Sequence, residues 1–250
     1  LPQLAKELAA RNPAVIVAPG GAEVALAAKA ATATIPIVFE MGGDPVALGV
    51  VSSLSRPGGN LTGVTSLSVE VSRKRLEFMY EVRADSKVFA IAINPASPTA
   101  NSQLKNLQAA AESLGLNLRV LKASSESEFD AMFGAVREMR AGGLIFSSDP
   151  YFAYRSRQLA ELAVRHGVPA ITQSRDFPLA GGLMSYGPSL RDAFRQAGIQ
   201  TARVLRGDKP ASLPVVQTSK FELVINAMAA RLLGITVPTS LLSHADEVLE

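Results

Sequence analysis

Short runs of β-branched and other apolar residues alternate with stretches of helical periodicity along almost the whole chain, the pattern that specifies parallel strands joined by crossover helices. Leu1, Leu4 and Leu8 share one face of an opening helix. A strand follows over 14–18, broken by Pro19-Gly20-Gly21, and then an Ala-rich helix over 22–31. Residues 35–39 read as a second strand, 40–44 as a loop and 45–54 as a helix. Arg56-Pro57-Gly58-Gly59-Asn60 is a turn by composition, leading into a strand over 61–64.

After a helix over 69–80 a second series begins. Its strands are expected over 88–93, 117–121, 143–146, 169–172 and 182–186, and its helices over 99–114, 126–139 and 154–166. A helix over 189–205 ends at Gly207. The tail adds a strand over 221–225, a helix over 227–233 and a polar stretch. Two strand series separated by a helix imply two doubly wound sheets. The first series has three strands, below the usual four to six, so the first lobe is expected to be incomplete.

Composition narrows the chemistry. With 48% apolar and 19% charged residues, 19 Gly and 15 Pro in 250, the chain is neither disordered nor repetitive. The formal charge is +3, but the 25 basic residues are scattered among 22 acids and Trp is absent, so no nucleic-acid footprint is present. Zero cysteines exclude a disulfide, a thiolate zinc site and a cysteine nucleophile. Neither His166 nor His244 has a metal-ligand spacing, and no cofactor or metal is expected. No apolar run approaches the about 18 residues of a membrane span, and Leu1-Pro2-Gln3-Leu4 is not an export signal.

Four segments together resemble the ABC-transporter substrate-binding protein family that includes tryptophan- and phenylalanine-type receptors. They are Ile35-Pro36-Ile37-Val38-Phe39 with Gly43-Asp44-Pro45; Leu54-Ser55-Arg56-Pro57-Gly58-Gly59-Asn60-Leu61-Thr62-Gly63-Val64; Gly181-Gly182-Leu183-Met184-Ser185-Tyr186-Gly187; and Lys220-Phe221-Glu222-Leu223-Val224-Ile225-Asn226 with Leu233-Gly234-Ile235-Thr236-Val237-Pro238. The resemblance implies a type I periplasmic-binding-protein fold: two Rossmann-like lobes with parallel sheets, three crossing segments and an interlobe ligand cleft that closes by hinge motion. It places 1–66 with 187–209 in the first lobe and 67–186 with 210–250 in the second. It also implies a further strand, helix and strand ahead of Leu1, behind an export signal. The shortened first lobe is therefore expected to be completed by self-association or to be distorted.

Ligands of open α/β sheets sit beyond the carboxyl ends of the strands. Gly20 and Gly21 offer backbone N–H groups at a helix start, suited to a carboxylate, or else make a tight turn. Glu40 and Asp44 would accept from an ammonium group, although Asp44 before Pro45 also has the form of a helix N-cap. Asn94, Ser97 and Thr99 precede a helix, one as its cap and the others as ligand donors. Asp149 with Tyr151 and Phe152 supplies an acid beside a flat apolar wall, with core packing the competing role for Phe152. Gln173 and Arg175, the latter next to Asp176, offer a bidentate guanidinium or a surface ion pair. Tyr186 faces the cleft at a crossing where Gly187 absorbs torsion.

The function implied is capture of a small organic solute, an aromatic amino acid or related aromatic carboxylate, for an ABC permease in the periplasm or another extracytoplasmic space. An effector-sensing half of a regulator shares the fold. An enzyme is disfavoured because no Gly-x-Gly-x-x-Gly opens a helix after a strand, and neither a Walker A motif nor a Gly-x-Ser-x-Gly elbow is present.

Overall fold

The structure, a computed structural model, describes residues 1–69 and 71–250; the helix expected over 69–80 includes Glu70, which lies outside the described residues. In chain order the elements begin with α1 (Pro2–Ala10), β1 (Ile16–Ala18), α2 (Ala22–Ala31), β2 (Ile37–Met41) and β3 (Leu61–Thr65). Next come α3 (Ser72–Val82), β4 (Val88–Ile93), α4 (Ala100–Ser113), β5 (Asn117–Lys122), a 3-10 turn running into α5 (Phe129–Glu138), and β6 (Leu144–Phe146). They are followed by α6 (Pro150–Tyr154), α7 (Ser156–His166), β7 (Ala170–Thr172), α8 (Asp176–Leu179) and β8 (Met184–Pro188). The last are α9 (Leu190–Leu205), β9 (Val216–Gln217), β10 (Phe221–Asn226), α10 (Ala227–Leu232), α11 (Thr239–His244) and β11 (Glu247–Leu249).

Two compact units result, Leu1–Leu67 with Pro188–Lys220 and Ser68–Gly187 with Phe221–Glu250. In the first, a four-stranded sheet runs β1-β2-β3-β9 with every pairing parallel. All of β2 is buried because both faces of the sheet are covered. Ile37, Phe39 and Met41 pack with Ala25 and Ala28 of α2, whereas Val38 joins Val64 against Ala193, Ala197 and Val204 of α9. Each such large apolar side chain contributes about 2 kcal/mol.

The second unit's sheet runs β11-β10-β8-β7-β6-β4-β5. The same alternation gives it two cores. Phe89, Ile91, Ile145, Ile171 and Met184 pack on Leu76, Met79 and Leu107 of α3 and α4, and Ala90, Ala92, Leu144, Phe146 and Ala170 pack on Phe133, Leu159 and Ala163 of α5 and α7. Among the described residues no helix is long and apolar enough to cross a membrane.

Several expectations change. The first sheet has four strands, because residues 216–217 pair with β3 through Val64↔Val216 and Thr65↔Gln217. That ladder keeps 210–220 in the first unit, where the family resemblance had implied the second. The helix expected over 45–54 is a single turn: Val50 N–H bonds Pro45 O, and Gly49 at φ +67° turns the chain away. The strand expected to stop at Phe39 runs on to Met41, since Glu40 and Met41 still pair with Val64 and Thr65. The helix expected from 154 starts at Pro150 and breaks between Tyr154 and Ser156. The polar tail is also ordered, as α11 and as β11 paired to β10.

Candidate functional site

The first unit's strand-end loops are largely occupied by their own groups. Gly20 and Gly21 adopt φ of +112° and +96°, backbone that a side chain disfavours. Gly21 N–H donates to the Glu40 carbonyl at 3.2 Å, and the Gly20 N–H acts on the Glu40 carboxylate to lower its pKa. The Gly21 amide is therefore already engaged by the backbone of β2. Glu40 sits in β2 rather than in a loop and is buried; burial raises its pKa, with the Gly20 N–H pulling it down. Asp44 Oδ1 accepts from the N–H groups of Val46 (2.8 Å) and Ala47 (3.2 Å), which is the capping role. At the ends of β3 and β9 the hydroxyls of Ser66 and Thr218 are buried without a partner.

In the second unit the loops after β4 and β6 come together. Asp149, 1% exposed, caps α6 by accepting from Tyr151 N–H at 2.7 Å, while its other oxygen is 3.4 Å from Asn94 Nδ2. Asn94 Oδ1 turns the next loop by accepting from Ala96 N–H at 3.1 Å. Ser97 Oγ lies 3.2 Å from Thr99 Oγ1, and Thr99 accepts from Gln103 Nε2 at 2.8 Å at the start of α4. Asn94, Ser97, Thr99 and Asp149 thus converge where β4 and β6 end, with the Tyr151 backbone bound to Asp149.

The two aromatics expected in one loop lie on α6 and divide. Phe152, 2% exposed, packs against Phe146 with ring centroids 5.2 Å apart and belongs to the core. Tyr151 is half-buried, 5.8 Å from the Phe129 ring, with the Arg155 guanidinium 5.3 Å over its face, and burial raises its phenol pKa. Arg175 is exposed and pairs with Glu247 (2.7 Å) and Glu222 (3.7 Å) rather than with Asp176. Gln173 lies at the end of β7, where its carbonyl oxygen would be 1.9 Å from a Cβ on Gly187, so only glycine fits there. Tyr186 is held by Phe78 edge-on at 5.1 Å and Phe221 stacked at 5.8 Å.

Sequence reasoning passed over Arg75, Gln103 and Ser148. Arg75 is 0% exposed on α3. It donates from Nη2 to Ser148 Oγ at 2.6 Å and from Nη1 to the Tyr186 carbonyl at 3.1 Å, while Nε has no partner. Desolvation lowers its pKa to about 10. A signal was available, because Ser72, Arg75, Leu76, Met79 and Val82 form the buried stripe of α3, and Ala100, Gln103, Leu107, Ala110 and Ala111 that of α4. A long polar side chain inside an apolar stripe requires a buried partner. Among the described residues no group of three metal-binding side chains occurs.

Comparison with known proteins agrees with this architecture. The chain belongs to the ABC transporter substrate binding protein family, whose model matches residues 1–249. It is similar to a tyrosine-binding protein of Clostridioides difficile, 26% identical over 209 residues, which are 81% of this chain and 58% of the relative's length. A conserved domain protein from Vibrio cholerae superposes with a TM-score of 0.90 at 28% identity, over 99% of this chain and 82% of the other. An ABC domain in complex with L-Trp from Streptococcus pneumonia matches with a TM-score of 0.89 at 24% identity, over 99% and 85% respectively, a likeness of fold. The fold is that of the type I periplasmic binding proteins.

Proposed function

We propose that this chain is the extracytoplasmic solute-binding component of an ABC importer, that it delivers its cargo unchanged to a permease, and that the cargo is an aromatic amino acid or related aromatic carboxylate. The observation that carries the reading is the convergence of Asn94, Ser97, Thr99 and Asp149 at the carboxyl ends of β4 and β6, with Tyr151 bound to Asp149 through its backbone, where open α/β sheets take their ligands. Asp149 Oδ2, with only a 3.4 Å contact, is the acceptor for an amine. The hydroxyls of Ser97 and Thr99 are the donors to a carboxylate, and the Tyr151 ring is the wall for an aromatic group. The relatives named for tyrosine and for L-Trp support that ligand class.

A thermal-shift series with L-tryptophan, L-tyrosine, L-phenylalanine, L-leucine and glucose tests the reading. A true ligand at 100 times its Kd adds about 2.7 kcal/mol of stability. Stabilisation by an aromatic amino acid, with the ligand recovered intact, is the expected result; stabilisation by glucose alone, or chemical conversion of the ligand, overturns it. Self-association through the first unit is a separate proposal, supported by the apolar groove that Leu1, Leu4, Leu8, Val17 and Val24 line beside the edge strand β1. Light scattering showing a monomer at all concentrations would remove it.

A further inference from the structure

A buried guanidinium without a carboxylate is costly, and a chain retains one where its donors hold something in place. Arg75 is fully buried on α3, and among the described residues no acid pairs with it; its acceptors are a hydroxyl and a backbone carbonyl. Both acceptors lie at places that matter for capture. Ser148 immediately precedes Asp149, and Tyr186 immediately precedes Gly187, where the chain leaves the second unit.

From Ser148 the network runs in two directions. Ser148 Oγ donates to the Ser68 carbonyl at 3.1 Å, and Ser68 is the first residue of the second unit after the chain enters it. The Ser148 backbone is clamped on both sides by one side chain: its N–H donates to Gln103 Oε1, and its carbonyl accepts from Gln103 Nε2 at 2.9 Å. The same Gln103 Nε2 is 2.8 Å from Thr99 Oγ1, which touches Ser97. One connected set of hydrogen bonds therefore links the loop after β6, the loop after β4, the entry of the chain at Ser68 and its exit at Tyr186.

We propose that Arg75 is the positioning residue of solute capture, setting through Ser148 and Gln103 the placement of Asp149, Thr99 and Ser97 and tying that placement to the backbone at Ser68 and Tyr186. The inference rests on the solute-binding reading above. Arg75 touches no solute itself. A core role alone would require none of this connectivity, because a methionine would fill the same stripe of α3.

The test is a double-mutant cycle on the full chain with Arg75→Met, Ser148→Ala and the pair, read by calorimetric titration with L-tyrosine and L-tryptophan. Each single variant is expected to raise Kd about tenfold with stoichiometry unchanged, and the pair to lose little more, since both act through one contact. Arg75→Lys, which keeps one donor, should recover part of the loss. A fall in Tm with Kd of the folded fraction unchanged, or additive losses, overturns the proposal. Should Arg75→Met not fold, Ser148→Ala and Arg75→Lys carry the comparison. Hydrogen exchange supplies a readout independent of ligand: the Ser148 amide should lose protection in Arg75→Met or Arg75→Lys, and retained protection there also overturns it. A wild-type chain that binds neither amino acid refutes the functional reading and leaves this exchange test standing.

Discussion

Glu40 on β2 of the first unit and Arg75 on α3 of the second are both buried, and the two have opposite charge and opposite solutions. Glu40 in the first unit is compensated locally, by the Gly20 N–H one loop away, and burial still drives it toward neutrality. Arg75 in the second sits in a web of side chains that reaches four separate segments. Unpartnered buried side-chain atoms among the described residues follow the same division: Ser66 Oγ, Thr218 Oγ1 and Gln200 Oε1 belong to the first unit, and Arg75 Nε to the second. A four-stranded sheet has fewer loops to call on than a seven-stranded one. The smaller unit leaves hydroxyls at the ends of β3 and β9 without a partner, where the larger one joins its buried side chains into a network that leaves out Arg75 Nε.

The contrast can be pressed hardest at the two neighbouring aromatics of α6. Phe152→Ala should cost the second unit about 4 kcal/mol, measured by denaturant unfolding, because it empties a core position. Tyr151→Ala should cost far less and act on ligand affinity instead. Next is Gly63→Ala in the first unit, whose Cβ would fall 2.1 Å from the Phe39 carbonyl oxygen. A loss of about 3 kcal/mol is expected, confined in hydrogen exchange to β2 and β3.

A smaller effect distinguishes the units by sign. Ser148→Ala should destabilise by about 1 kcal/mol, since it leaves Arg75 with one acceptor fewer. Thr218→Val, which removes a buried hydroxyl that bonds nothing, should be neutral or slightly stabilising. The smallest effect is electrostatic. Burial raises the Glu40 pKa in the folded chain, so the folded state holds that proton more tightly than the unfolded one. The stability this gives is full below the unfolded value and is lost as pH rises through the raised folded value. Glu40→Gln should remove that decline, seen as a flatter dependence of Tm on pH above the ordinary carboxylate range.

Much of the architecture was legible in the chain. Strand 88–93 and helix 22–31 coincide with β4 and α2, because a continuous apolar run between turn residues and an alanine-rich stretch after a glycine pair each have one good solution. The failures are specific. Residues 216–217 carry no strand signal of their own and become β9 through their ladder to β3. The helix expected over 45–54 stops after one turn at Gly49. For the candidate site the structure shows where the side chains lie: the Asp149 loop and the Asn94 to Thr99 loop meet, Phe152 packs in the core, Arg175 pairs with surface acids, and the Gly21 amide bonds the Glu40 carbonyl.

By itself the order of residues determined two parallel sheets, their crossover helices and the family, since hydrophobic period and turn chemistry act over a few neighbouring positions. Which polar groups are spare and which are already bound was decided only in three dimensions. The partners that settle it, Gly20 for Glu40 and Ser148 for Arg75, lie 20 and 73 residues away along the chain. Whether a buried donor is free depends on those contacts and on nothing local.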